Sequence, residues 1–197
     1  MNVSIEGRLN SGTLFGGGVD TGRTVLDNCF VTDSPQQLLY CRVTVPFHAQ
    51  TQVKLYGSYL LPYDINVSAM FQNVGGPEIE ANYSASNAEI APSLGRNLAA
   101  CRGAAVCNAR VTVPLVEPLT LWEDRRTQLD LRLSKRFRMS SHVSLKANFD
   151  VYNVMNASPV LGVNHTYGAR WREPFATTAT EAILQGRFFQ FSGQLTF

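Results

Sequence analysis

Residues able to do chemistry are few in this sequence, and they are scattered. The three histidines, His48, His142 and His165, fall in separate connecting stretches, and none stands in an H-E-x-x-H or similar metal-binding frame. Glu123-Asp124 sets two carboxylates side by side, but neighbours on a strand point to opposite faces. The pair therefore fits a rim beside Arg125 and Arg126 better than an acid–base site. Gly16-Gly17-Gly18 lacks the lysine and spacing of a phosphate loop and reads as strand curvature or close packing against a neighbouring strand. No serine has a G-x-S-x-G setting. The expectation is a protein that is not an enzyme, with no catalytic residue, no metal site and no cofactor.

The four cysteines form two local sets, Cys29 with Cys41 and Cys101 with Cys107. There is no C-x-x-C, so two local disulfides made in an oxidising compartment are expected. Residues 1–9 have no basic start, apolar core or small-residue cleavage site. An exported chain without such a leader is expected to be cut from a longer precursor.

The elements that must position these residues follow from composition and periodicity. Charged residues are 16% of 197, well under the ~25% usual for soluble domains, yet mean hydropathy is only −0.07. With 45% hydrophobic and 10% aromatic residues the chain is not a disordered tail. No run approaches the ~20 apolar residues of a spanning helix. A net charge of +2 is no nucleic-acid footprint.

Period two dominates instead. Leu129, Leu131, Leu133 and Phe137 alternate with Asp130, Arg132, Ser134 and Arg136. Leu145, Phe149 and Val151 alternate with Lys146, Asn148 and Asp150, and Phe189, Phe191 and Leu195 with Gln190, Ser192 and Gln194. The pattern predicts seven half-buried strands over residues 2–9, 13–25, 49–59, 65–73, 123–137, 142–154 and 183–197. Short turns are expected at Asn10-Ser11-Gly12, 60–64 and 138–141. Long connections cover 26–48, 74–122 and 155–182, and 79–85 with 109–115 favours a further hairpin. Short turns on one side and long loops on the other is the layout of an outer-membrane barrel, whose tilted strands need about 9–11 residues. Seven is odd where single-chain bacterial barrels are even, so an open curved sheet from a larger barrel is expected. In this register Asp130, Arg132, Lys146 and Asp150 face the interior, as substrate wall or as cross-strand charge pairs. Tyr56, Tyr59, Tyr63, Tyr152, Trp122 and Trp171 fit either interface girdles or loop packing.

Particular residues carry a family resemblance. Arg125-Arg126-Thr127-Gln128-Leu129-Asp130-Leu131-Arg132-Leu133-Ser134-Lys135-Arg136-Phe137 is similar to the third-last strand of TonB-dependent outer-membrane receptors. Phe149-Asp150-Val151-Tyr152-Asn153-Val154-Met155-Asn156 resembles their penultimate strand, with its aromatic-D-x-Y-N-x-x-N pattern, and residues 186–197 resemble their closing strand. The likeness is closest to receptors with a carboxypeptidase-regulatory-like N-terminal domain. It implies that residues 1–197 are the C-terminal part of a 22-stranded barrel that takes up a nutrient ligand, without its plug domain and TonB box. It implies the bacterial outer membrane as location. The implied partners are outer-membrane lipid, the barrel-assembly machinery, the rest of the barrel and plug, and a small-molecule or oligomeric substrate. Nucleic acid is not among them. Gln190, Ser192, Leu195 and Phe197 match a terminal assembly signal of form polar-x-Gly-x-x-apolar-x-apolar, with Ser192 in place of glycine. A small autonomous eight-stranded barrel with a structural or adhesion role, and a soluble ligand-binding sandwich, are the competing expectations.

Overall fold

The computed structural model describes residues 1–9, 12–30, 38–177 and 181–197. Its main feature is one antiparallel sheet of seven strands, and that sheet is open and curved. In chain order the strands are β1 (Asn2–Arg8), β2 (Leu14–Asp20), β3 (Thr24–Asp27), β4 (Arg42–Val45), β5 (Gln52–Leu61), β6 (Ile65–Val74), β7 (Asn82–Ser86), β8 (Arg110–Pro114), β9 (Arg126–Arg138), β10 (Ser144–Tyr152) and β11 (Phe188–Thr196). The sheet runs β1-β2-β5-β6-β9-β10-β11, while β3–β4 and β7–β8 form separate hairpins. The seven sheet strands correspond to the seven expected ones, and β7–β8 is the expected extra hairpin.

Several boundaries depart from expectation, among them the start of the last strand, at Phe188 rather than 183, and of β9, at Arg126 rather than 123. The stretch 13–25 is not one strand: β2 stops at Asp20, and β3 leaves the sheet to pair with β4. The ladder with β1 runs one rung further, the Thr21 N–H donating to the Met1 carbonyl at 2.9 Å and its carbonyl accepting from the Met1 amine at 2.6 Å, before the chain leaves for β4. The expected strand at 49–59 begins only at Gln52, because Phe47–Gln50 closes a short helical turn, α1, after Pro46. Proline suits that place, since the first turn of a helix has no use for its missing N–H.

The three β-hairpins of the sheet are closed by short turns at one end, while the three long connections leave from the other. Asn10 and Ser11 of the first turn lie outside the described residues. In the second, Tyr63 and Asp64 both take left-handed backbone, with φ of 66° and 56°. The long-loop end carries both disulfides, Cys29–Cys41 and Cys101–Cys107, as expected. It also carries α2 (Asn87–Leu94), which Gly95 ends in the left-handed conformation at φ 71°.

Alternation holds through every ladder. Leu131, Leu133, Leu145, Phe149, Phe189 and Phe191 share one face, and Asp130, Arg132, Lys146 and Asp150 share the other. The apolar face is bare: Val3, Ile5, Leu55, Leu133, Phe189, Phe191 and Leu195 are all exposed, Phe191 to 78%. The buried apolar side chains, among them Val43, Val45, Ile79, Ala81, Ala85, Leu98 and Val163, lie in the loop hairpins and connections. Buried polar side chains of the sheet and its edge are Ser134, Asp150 and Asn153. Relative to a soluble sheet, the seven strands are inside out.

Candidate functional site

The polar face is built row by row from the register. One row crosses Asn66, Ser134, Asn148 and Ser192, and the next crosses Ser58, Ser68, Arg132, Asp150 and Gln190. Asp150 is 2% exposed, and Arg132 grips both its oxygens through Nε and through Nη2, the latter at 3.1 Å. A two-pronged guanidinium–carboxylate pair satisfies a carboxylate that the sheet otherwise desolvates. Asp130 is held differently. It accepts from Gln128 Nε2 at 2.9 and 3.1 Å and from the Asn153 backbone N–H at 2.8 Å. Of the four charges expected to face inward, which share the polar face, Arg132 and Asp150 form a cross-strand pair, Asp130 anchors a turn, and Lys146 stands apart, opposite Arg136 and Gln194.

The D-x-Y-N-x-x-N segment acts as a clamp where β10 ends. Asn153, 1% exposed and left-handed at φ 51°, donates through Nδ2 to the carbonyls of Ala157 (2.7 Å) and Gln185 (2.9 Å). Its Oδ1 accepts from the Ala157 N–H at 3.0 Å. Asn156, at φ 52°, accepts the Arg187 N–H on Oδ1 at 2.9 Å, directly ahead of β11. Asparagine suits both positions, because it tolerates the left-handed region and its amide substitutes for missing backbone partners. Tyr152 completes the clamp by stacking on Phe188 at 4.6 Å. The two ends of a long connection are thereby tied together.

At the polar face near β1 and β2 lies a hollow of about 430 Å³, lined by Ser4, Glu6, Gly18, Lys54, Tyr56 and Met70 among others. A Cβ on Gly16 would meet the Tyr56 ring at 2.6 Å, so the glycine leaves room for the tyrosine to lie across the strand. This is the close packing that the glycine run predicts. Tyr56 and Tyr152 both face the polar side, so neither belongs to an outer girdle; Tyr59 is on the apolar face, and Trp171 packs in the loops, donating to the Glu80 carbonyl at 2.7 Å.

The long-loop end is stitched by polar contacts. Arg125 donates to the carbonyls of His48 (2.5 Å) and Thr51 (2.5 Å) and to Asn73 Oδ1 (2.8 Å), joining three segments at the rim. Glu123, the first of the acidic pair, receives Arg172 at 2.9 Å. His165 Nδ1 lies 3.2 Å from Glu80, while His48 and His142 sit in α1 and the β9–β10 turn. In the first turn of α2, Glu89 accepts from the Tyr83 hydroxyl and from the Ser86 N–H and hydroxyl at 2.6 to 2.7 Å. The Tyr83 bond first, then those from Ser86, hold the Glu89 carboxyl down to about 2, and the same contact pushes the Tyr83 hydroxyl up. Among the described residues no group of three His, Cys, Asp or Glu side chains is placed to hold a metal ion.

The expected site residues are therefore assembled on one wall rather than around one pocket. Gln190 and Ser192 lie on the polar side of β11 and Leu195 on the apolar side, with Phe197 exposed beyond the strand. Sequence reasoning did not find Arg125 as a hub or the roles of Asn153 and Asn156, although two asparagines three apart after an alternating strand are a readable turn signal. No protein-family model matches the chain, and no curated protein matches it either.

Proposed function

We propose that this chain is the C-terminal wall of an outer-membrane receptor barrel of the TonB-dependent kind, which takes up a nutrient ligand. One observation carries the membrane part of this reading: the sheet exposes a continuous face of large apolar side chains and sets its polar side chains, Ser134 and Asp150 buried among them, on the other. Exposed apolar patches of that extent mark contact with lipid or with another protein. Strands of nine to thirteen residues in β5, β6, β9, β10 and β11 suit tilted spans.

The ladder also supports a larger barrel. Each neighbour is antiparallel and the strands number seven, so β1 and β11 run the same way. Closing β11 on β1 would need a parallel pair, and a second copy inserted in the same orientation would meet the same obstacle. An odd number of further strands removes it. The receptor identity itself rests on the resemblance in strands β9, β10 and β11; the nutrient is imported with the plug and inner-membrane energy supplied by other parts. The test is dilution from urea into short-chain phosphatidylcholine vesicles and, separately, into plain buffer. The reading expects β-structure that floats with the vesicles and resists alkaline wash, and aggregation in buffer. A monodisperse β-rich monomer in buffer overturns it. Closure into an even-stranded barrel in vesicles, by this chain alone, would favour the autonomous barrel instead.

A further inference from the structure

We propose that the apolar face carries a headgroup site for an anionic phospholipid, with Lys135 as its cation. The proposal rests on the membrane reading above and goes beyond it, because contact with hydrocarbon needs no cation. The apolar face takes alternate residues of the seven strands, and Lys135 on β9 is the one charged side chain among them. It is exposed, and among the described residues its ammonium meets no carboxylate and no hydrogen-bond acceptor. Its recorded contact is the Phe137 ring, 5.2 Å from Nζ to the centroid. Phe137 lies two residues nearer the short turns, so the lysine leans that way.

The extent of the apolar band sets the depth of this cation. At the long-loop end the band on β9 stops at Thr127, whose hydroxyl accepts from Asn73 Nδ2 at 2.6 Å on the same face. From Thr127 to Lys135 the strand rises about 26 Å. A tilt of about 40° projects this to roughly 20 Å, a little short of the apolar band of about 25 Å that a barrel presents. The leaning stem of Lys135 carries its ammonium toward the edge of that band, where lipid phosphates begin. One more apolar row, Phe137, Leu145 and Leu195, lies beyond it and keeps bulk water at a distance. The counter-charge must therefore come from a lipid.

The neighbouring surface leaves room for one. In the Lys135 row the next two strands offer only Ala147 and Gly193, between Phe149 and Phe191 on one side and Leu145 and Leu195 on the other. Nothing in the fold demands glycine at 193, where a Cβ would meet only Leu145 Cδ1 at 3.8 Å. At Gly7, Gly17 and Gly57 on the same face it would come within 3.3 Å of a neighbour. A strand glycine with open space above it suits close approach from outside. A phospholipid fills both features, its phosphate at the ammonium and its glycerol end in the trough. A zwitterionic lipid brings a competing ammonium beside its own phosphate, so the anionic class is preferred.

The test uses the full chain folded into phosphatidylcholine vesicles, with Phe137→Trp as reporter beside Lys135. A minority of the lipid is brominated phosphatidylglycerol or, at the same mole fraction, brominated phosphatidylcholine. Quenching above that of the parent chain should report roughly fivefold enrichment of phosphatidylglycerol, falling toward parity at about 0.5 M salt. Lys135→Gln in the reporter chain should remove the preference, and Gly193→Leu should reduce it by filling the trough. Lys146→Gln, the same loss of charge on the polar face, should leave it intact. A Leu55→Trp reporter, on the apolar face far from Lys135, should show none. Equal quenching by both lipids at position 137, an enrichment undiminished by Lys135→Gln or Gly193→Leu, its loss with Lys146→Gln, or the same enrichment at position 55 would each overturn the proposal. A chain that inserts but shows no lipid preference loses this site alone. One that stays outside the vesicles sinks the membrane reading and the site with it.

Discussion

Asp150 and Gly16 show how single residues shape the polar face of the wall. Asp150 is desolvated by the sheet and depends on Arg132, half of whose side chain remains exposed. Removing the carboxylate breaks the pair but leaves the cation able to reach water, so the cost falls below that of a fully buried pair. Asp150→Ala is expected to destabilise by about 2 kcal/mol in urea unfolding in micelles. A change within a few tenths would mean that the pair is only surface decoration. At Gly16 a methyl group would run into the Tyr56 ring, whose far end can swing away. Gly16→Ala should therefore cost about 1 kcal/mol, and most of that penalty should vanish when Tyr56 is also replaced by Ala. Independent, additive effects of the two changes would show that ring and glycine are not coupled.

Among the elements, strands and loops obey different rules. Period two made the sheet legible, because a residue slipped by one would have turned Leu131 and Arg132 to the wrong faces. It could not reveal that β2 ends at Asp20, since Thr21 to Val25 continue a plausible alternation and the departure lies in the pairing of β3 with the distant β4. Nor could it reveal Arg136 against Lys146, because register between strands is set by turns rather than by either strand alone. The loop hairpins carry their own apolar core and their own disulfides, so their stability is separable from the sheet's. Reduction of both bridges is expected to open residues 101–107 to proteolysis while the sheet's circular dichroism is unchanged; loss of the sheet signal would contradict this. Acid should act locally as well. The Glu89 carboxyl is held near 2 in the fold against an ordinary 4.5, so its contribution to the start of α2 is complete above 4.5 and is lost as pH falls toward 2. Resonances of the Ser86 amide should titrate in that window, and Glu89→Gln should remove the transition. A Ser86 midpoint near 4.5 would mean that the Tyr83 and Ser86 bonds do not form.

The whole molecule is a curved wall, polar on one face and apolar on the other, with the long loops at one end. Its two edge strands run the same way, which makes the sheet a segment of a closed structure rather than a complete one in the reading advanced above. That reading depends most on which face meets hydrocarbon. Phe191 and Gln190 are neighbours on β11 that point to opposite sides, the first on the apolar face. Phe191→Trp and Gln190→Trp, each folded into vesicles whose acyl chains carry bromine, provide the most direct comparison. Strong quenching of tryptophan at 191, above that of the parent chain with Trp122 and Trp171, and little at 190 is the predicted result. Equal quenching at both positions, or none at 191, would contradict the account.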